Sequence, residues 1–167
     1  MHFFRWIKKG KSMKYTYPSG SYYEGEIVEN KFEGKGIYAF ANGDIYEGEF
    51  ANDMLEGYGK YKYKTGSLYD GMFSKDMFHG LGTLSYRTES IEKGKFHQDK
   101  RVGKFFLYDF QTKNFFEIIY QNDIAVSEKI VNEDEIPLEK KPSFDACEKI
   151  VMEDDVTTET SSLNTSM

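Results

Sequence analysis

Side chains able to do chemistry are present in this 167-residue chain, but not in the spacings that chemistry requires. Its histidines are His2, His79 and His97, and none has further ligands at metal-site spacing, so no metal centre is expected. Carboxylates are abundant, yet Glu24, Glu47 and Asp70 simply recur at intervals of 23 residues. Recurrence at equal intervals marks a solvated face, not the paired carboxyls of acid–base catalysis. The single cysteine, Cys147, builds neither a disulfide nor a zinc site and fits a reducing compartment. None of the 15 glycines belongs to a phosphate loop, because none lies between a strand and a helix with a following Gly-Lys-Ser/Thr. No catalytic residue and no cofactor are therefore expected. Recognition is the remaining chemistry. Aromatic residues make up 17% of the chain against 39% apolar residues in all, a share better suited to a thin layer of rings than to a thick aliphatic core.

Those aromatics sit in a repeated frame. Segments beginning at Tyr23, Tyr46, Tyr69 and Glu92 align on a 23-residue step. Glycine recurs two, eleven, thirteen and twenty residues after each of the first two starts, as in Gly48, Gly57, Gly59 and Gly66. A period of this size means one supersecondary unit per repeat and an elongated array. Within each unit residue types alternate with period two, which predicts strands. Tyr46, Gly48 and Phe50 share one face and Glu47 and Glu49 the other; Gly59, Tyr61 and Tyr63 oppose Lys60, Lys62 and Lys64. Asn42-Gly43 is a type I′ hairpin signal, with Thr65-Gly66 and Ser19-Gly20 in equivalent places. The other connection, Asn52-Asp53-Met54-Leu55-Glu56, is expected to be longer and to close on Gly57, with Phe32, Leu55 and Phe78 tucked under the sheet end. Glycines between aromatics remove bulk, so that neighbouring rings can lie over bare backbone. Glu47 and Glu49 are expected to face lysines of the next strand on the outer side.

The Y-x-G-x-(F/I)-x-x-x-x-x-x-G-x-G spacing resembles the MORN repeat. The resemblance implies an all-β fold: an elongated single-layer antiparallel meander of hairpins forming a grooved, twisted rod, followed by a disordered or partly helical C-terminal tail. Residues 1–13 form a basic aromatic arm and residues 14–126 the array. The array divides into a partial repeat (14–22), repeats 23–45, 46–68 and 69–91, and degenerate units 92–115 and 116–126. Repeat four keeps Gly94 and Gly103 but carries Phe105 where the third glycine belongs. In the fifth unit Ile118 replaces a glycine. Residues 127–167 are acidic, poor in apolar residues and expected to be disordered.

Net charge is −6, but residues 1–14 carry five bases and no acid. Body and tail are both acidic, which opposes a nucleic-acid partner. Three surfaces stand out. The aromatic face, with Tyr38, Phe40, Tyr46, Phe50, Tyr61, Tyr63, Tyr69, Phe73 and Tyr86, is expected to hold a peptide or helical segment of another protein. The arm, with Phe3, Phe4, Trp6, Lys8, Lys9 and Lys11, offers contact with an anionic membrane surface. In the tail, Glu128–Glu135 recurs as Glu148–Asp155. The leading expectation is a non-catalytic adaptor, and the alternative is a peripheral membrane-binding module. A third reading pairs edge strands between copies. No apolar run approaches a membrane span and the start lacks a signal-peptide core, which suggests an intracellular, cytoplasmic protein. The resemblance adds cytoskeletal, ciliary or sperm-cell settings.

Overall fold

The structure, a computed structural model, describes residues 11–142. The strands are β1 (Lys11–Thr16), β2 (Tyr22–Val28), β3 (Lys31–Ala39), β4 (Ile45–Ala51), β5 (Met54–Lys62) and β6 (Leu68–Ser74). They continue as β7 (Met77–Tyr86), β8 (Ser90–His97), β9 (Lys100–Asp109), β10 (Phe115–Gln121) and β11 (Ile124–Val131). Each pairs antiparallel with the next, giving one open 11-stranded sheet without crossovers. Short 3-10 turns follow at Glu133–Glu135 and Leu138–Lys140. Among the described residues no helix is long and apolar enough to cross a membrane.

Packing explains why glycine recurs inside these strands. Gly48 of β4 lies opposite Gly59 of β5, and the Tyr46 ring lies across both. A Cβ on Gly48 would stand 2.4 Å from Tyr46 Oη and 2.6 Å from the Gly59 Cα. One on Gly59 would stand 2.5 Å from Tyr46 Cε2. The same geometry joins Tyr23 to Gly25 and Gly36, and Tyr69 to Gly71 and Gly82. Each hydroxyl reaches past the glycines to donate to a backbone carbonyl: Tyr23 to Glu26 and Tyr46 to Glu49 at 2.8 Å, Tyr69 to Met72 at 2.9 Å. All three tyrosines are 0% exposed, full burial within a single layer.

These rings link into one column. Tyr23, Phe50, Tyr46, Phe73, Tyr69, Phe96, Phe105 and Tyr120 follow edge to face, with centroids 4.9–5.2 Å apart and planes 79–89° to one another. Such T-shaped contacts contribute about 0.5–1.5 kcal/mol each beyond area burial. Phe32 and Phe78 do not tuck under a sheet end. They lie in strands and stack on Tyr23 and Tyr69 at 3.7 Å, and Leu55 fills the equivalent place in the second repeat.

The two kinds of turn are the reverse of the expectation. Asn42-Gly43 does not form a type I′ turn: only Gly43 has positive φ (97°), and the loop closes through Gly43 N–H to Phe40 C=O at 3.0 Å. The Asn42 side chain instead accepts from the Asp44 N–H at 3.0 Å, which favours a tight turn followed by a left-handed glycine. The type I′ geometry belongs to the connection expected to be longer. Glu29-Asn30, Asn52-Asp53, Lys75-Asp76, Gln98-Asp99 and Asn122-Asp123 are two-residue turns with both φ between 50° and 70°. Gly57 closes no loop; it sits in a bulge of β5, where Gly57 and Tyr58 have no counterpart on β4.

The array also outruns its expected end at residue 126. β11 continues to Val131, and the chain then folds over the outer face, where Val131 and Ile136 bury against Phe106 and Phe115. Burial of these apolar side chains holds 127–142 in place despite their acidic composition. At the other end, β1 begins at Lys11, ahead of the expected boundary at 14. On the outer face Lys60 pairs with Asp70 at 3.5 Å, although Glu47 lies opposite it in register.

Gly59→Ala is expected to destabilise the protein by about 1–3 kcal/mol through forced displacement of Tyr46. Lys60→Ala, one residue on but outward-facing, should stay within about 0.5 kcal/mol. Urea unfolding midpoints of the two variants would separate a ring-and-glycine core from a merely local strand effect.

Candidate functional site

Alternation places a second aromatic row beside the buried column. Tyr15, Tyr17, Tyr38, Phe40, Tyr61 and Tyr63 run across the partial repeat and the first two full repeats, with centroid separations of 4.7–6.2 Å. They stand on β1, β3 and β5 or just beyond, at the end of each strand away from the type I′ turns. Tyr17, Tyr38, Phe40, Tyr61, Tyr63 and Tyr86 are half-buried, and Tyr15 is 52% exposed. Beside Tyr61 and Tyr63 lies a recess of about 420 Å³, with Phe73, Leu84 and Phe96 at its base and Phe78 at its side. Asp76, Asp99 and Arg101 complete its lining.

The column and the row therefore divide the residues expected to form one binding face. Tyr46, Phe50, Tyr69 and Phe73 belong to the core, at 0–4% exposure, and of the four only Phe73 lines the recess, at its base. Their partners are the glycines and one another. Tyr38, Phe40, Tyr61, Tyr63 and Tyr86 keep an accessible edge. Of the arm residues, Phe3, Phe4, Trp6, Lys8 and Lys9 lie outside the described residues, and only the backbone of Lys11 is described, as the start of β1. The second copy of the tail motif also lies outside them, whereas the first spans the end of β11 and the Glu133–Glu135 turn.

Side-chain hydrogen bonds fix both ends of the hairpins, the row standing at one of them. Tyr61 Oη donates to Asp44 at 2.9 Å, while the Lys64 N–H donates to the other Asp44 oxygen at 2.8 Å. Burial alone would raise the Asp44 carboxyl, but the Lys64 N–H, the Asn42 amide and the Tyr61 hydroxyl outweigh it and hold the group below its ordinary value. Burial, and then this bond, push the Tyr61 hydroxyl up, so it remains a donor.

At the opposite end the type I′ turns form a ladder that sequence reading missed. Asp53 Oδ1 accepts from Phe32 N–H, Asp76 from Leu55 and Asp99 from Phe78, each at 2.8 Å. The aspartate N–H groups return the bond to the same residues' carbonyls at 3.1–3.2 Å. Each aspartate thus occupies the left-handed second position of its turn and pairs with a strand of the preceding repeat. Asp123 repeats the pattern on Arg101. The available signal was aspartate or asparagine at the same place in every repeat: Asn30, Asp53, Asp76, Asp99 and Asp123.

The fourth repeat exchanges parts of this scheme. Glu92 holds the place of Tyr69, and Phe105 holds that of Gly82. The Phe105 ring covers Gly94 from the opposite strand, where an added Cβ would meet it at 2.4 Å. Glu92 is left 1% exposed, and its Oε1 accepts from Arg101 at 2.6 and 2.8 Å and from Tyr86 Oη at 3.0 Å. Its other oxygen has no hydrogen-bond partner among the described residues. Arg101 also holds Asp123 at 2.6 Å. His79 and His97 approach to 5.2 Å between ring centroids, on β7 and β8. Among the described residues no three His, Cys, Asp or Glu side chains converge as a metal site requires.

Asp76→Ala is expected to lose about 1–3 kcal/mol, because it strands the Leu55 N–H, while Asp76→Asn keeps the acceptor and should cost much less. Thermal unfolding of both variants tests the ladder. Arg101→Leu is expected to cost about 3–5 kcal/mol by leaving the Glu92 charge buried without its partner. Adding Glu92→Leu should recover much of that loss, measurable as a double-mutant cycle in urea.

The MORN repeat family model matches residues 23–45, 46–68 and 69–90. Comparison with curated proteins gives no match. The matched segments coincide with the three hairpin units in which tyrosine covers a glycine pair. The MORN repeat is a non-enzymatic motif, and three consecutive hairpin units of this single sheet are MORN repeats.

Proposed function

We propose that this protein is a non-catalytic adaptor that captures a segment of another protein along its half-buried aromatic row. One observation carries the reading: Tyr38, Phe40, Tyr61 and Tyr63 keep accessible edges, the last two beside a recess of about 420 Å³, while the column they pack against provides the buried core. Each of these rings packs one side on the core and keeps the other available for a partner. Tyrosine suits the task because it contributes a large contact area with few rotatable bonds and a hydroxyl for orientation. Strand spacing of about 4.8 Å makes the row, four spacings from β1 to β5, roughly 19 Å long, enough for about six extended residues.

Binding along the row draws its energy from ring faces and edges, so loss of two adjacent rings should remove most of it. Tyr61→Ser with Tyr63→Ser is expected to abolish capture of the partner from the native cell, with the strand signal in circular dichroism retained. Lys35→Ala with Lys60→Ala on the opposite face should leave the partner unchanged. A partner retained by the tyrosine variant and lost by the lysine variant would move the site to the outer face.

A further inference from the structure

We infer that the occupant of the aromatic row is a basic segment in the left-handed extended polyproline II form, carrying a lysine or arginine at every third position. The inference rests on the adaptor reading and names the chemistry of its partner. Its first support is charge. Asp53, Asp76 and Asp99 stand in one line, one per repeat, and are exposed. Each uses Oδ1 on the backbone of the preceding repeat. Asp76 and Asp99 line the same recess as Tyr61 and Tyr63. The cation in that recess, Arg101, is already held by Glu92 and Asp123. Field from Asp99 also reaches the Tyr63 and Tyr69 hydroxyls, where it adds to the upward push of burial.

The second support is period. Consecutive repeats are two strands apart, about 9.6 Å. A polyproline II helix rises about 3.1 Å per residue with three residues per turn, so one face returns every ~9.3 Å. Its side chains would stay opposite the aspartates over two intervals with a drift of under ~1 Å. A β-strand covers three residues in about 9.9 Å, but its third side chain points to the other face. Two turns of α-helix advance about 10.8 Å and drift by more than 2 Å over the same span. Aromatic-lined grooves are also the surfaces on which proline-rich segments dock, because the segment is already extended before it binds.

The test uses the full chain and fluorescein-labelled peptides followed by anisotropy. Lys-Pro-Pro-Lys-Pro-Pro-Lys is expected to bind at least tenfold more tightly than Lys-Lys-Lys-Pro-Pro-Pro-Pro, which has the same composition without the period. It should also exceed Glu-Pro-Pro-Glu-Pro-Pro-Glu by more than that, and weaken as salt rises. Asp76→Asn with Asp99→Asn, which keeps both backbone acceptors, should reduce binding about tenfold; Glu47→Gln with Glu49→Gln on the opposite face should not. Equal binding of the two lysine peptides overturns the period, and equal binding of the glutamate peptide overturns the charge. No binding of any peptide overturns the inference as a whole. The adaptor reading would survive each of these results, since it falls only if the Tyr61 and Tyr63 variant still captures its partner.

Discussion

A tyrosine ring lying on a pair of facing glycines is the contact that makes this sheet stable as one layer. An ordinary open sheet needs a second layer to cover its apolar face. Here the ring is laid flat on the backbone itself, which is possible only where both Cβ atoms are missing. A Cβ at Gly48 or Gly59 would stand 2.4–2.5 Å from Tyr46, closer than a side-chain carbon can approach. The entropy that glycine costs in a strand is offset by complete burial of a large side chain. The hydroxyl then fixes the ring by reaching a carbonyl across the bulge, so each tyrosine has one position.

From that contact the rest follows by repetition. Tyr46 and Tyr69 each meet the phenylalanine of their own repeat and that of the next, two T-shaped contacts per repeat, whereas Tyr23, with Ile27 in place of that phenylalanine, makes its T-shaped contact with Phe50 of the next repeat. The turn aspartates add a second nearest-neighbour link on the backbone. Such an array is held by interfaces between adjacent units and not by one centre. Its end must then be handled chemically. In repeat four the ring comes from Phe105 on the opposite strand, and the vacated tyrosine position holds the buried Glu92 paired to Arg101. The outer face there gains Phe106 and Phe115, which Val131 and Ile136 cover.

Strands and the sharing of residues between faces were readable in the sequence, because period-two alternation is a local pattern that nothing in a single-layer sheet overrides. Tyr46, Gly48 and Phe50 were placed together for that reason. The turns were not readable in the same way. Asn42-Gly43 carries the strongest short hairpin signal, yet Asn42 is engaged by Asp44, and the type I′ geometry went to pairs such as Lys75-Asp76. What stabilises an aspartate there is a backbone N–H 21 residues earlier, as in Asp76 with Leu55, and local chemistry cannot show so distant a partner. The end of the array was misjudged for a related reason. Val131 and Ile136 are isolated apolar residues in an acidic stretch, and only their contacts with Phe106 and Phe115 reveal them as core.

The split of the aromatic face into two rows decides which residues can serve a partner. Sequence alone placed Tyr46 and Tyr61 on one face and gave no reason to rank them. The difference lies in what stands beneath each ring. Tyr46 starts its repeat two residues before a glycine, folds back along its own strand and covers the glycine pair. Tyr61 stands two residues after Gly59, and its hydroxyl points to Asp44 beyond the strand end. The first position is enclosed by backbone and by the neighbouring phenylalanines, so altering it disturbs the fold. The second is held by one hydrogen bond and by ring edges, so it can change partners without dismantling the column. The buried column and the row proposed for recognition therefore use the same residue type on the same face, separated by the direction in which the glycines lie.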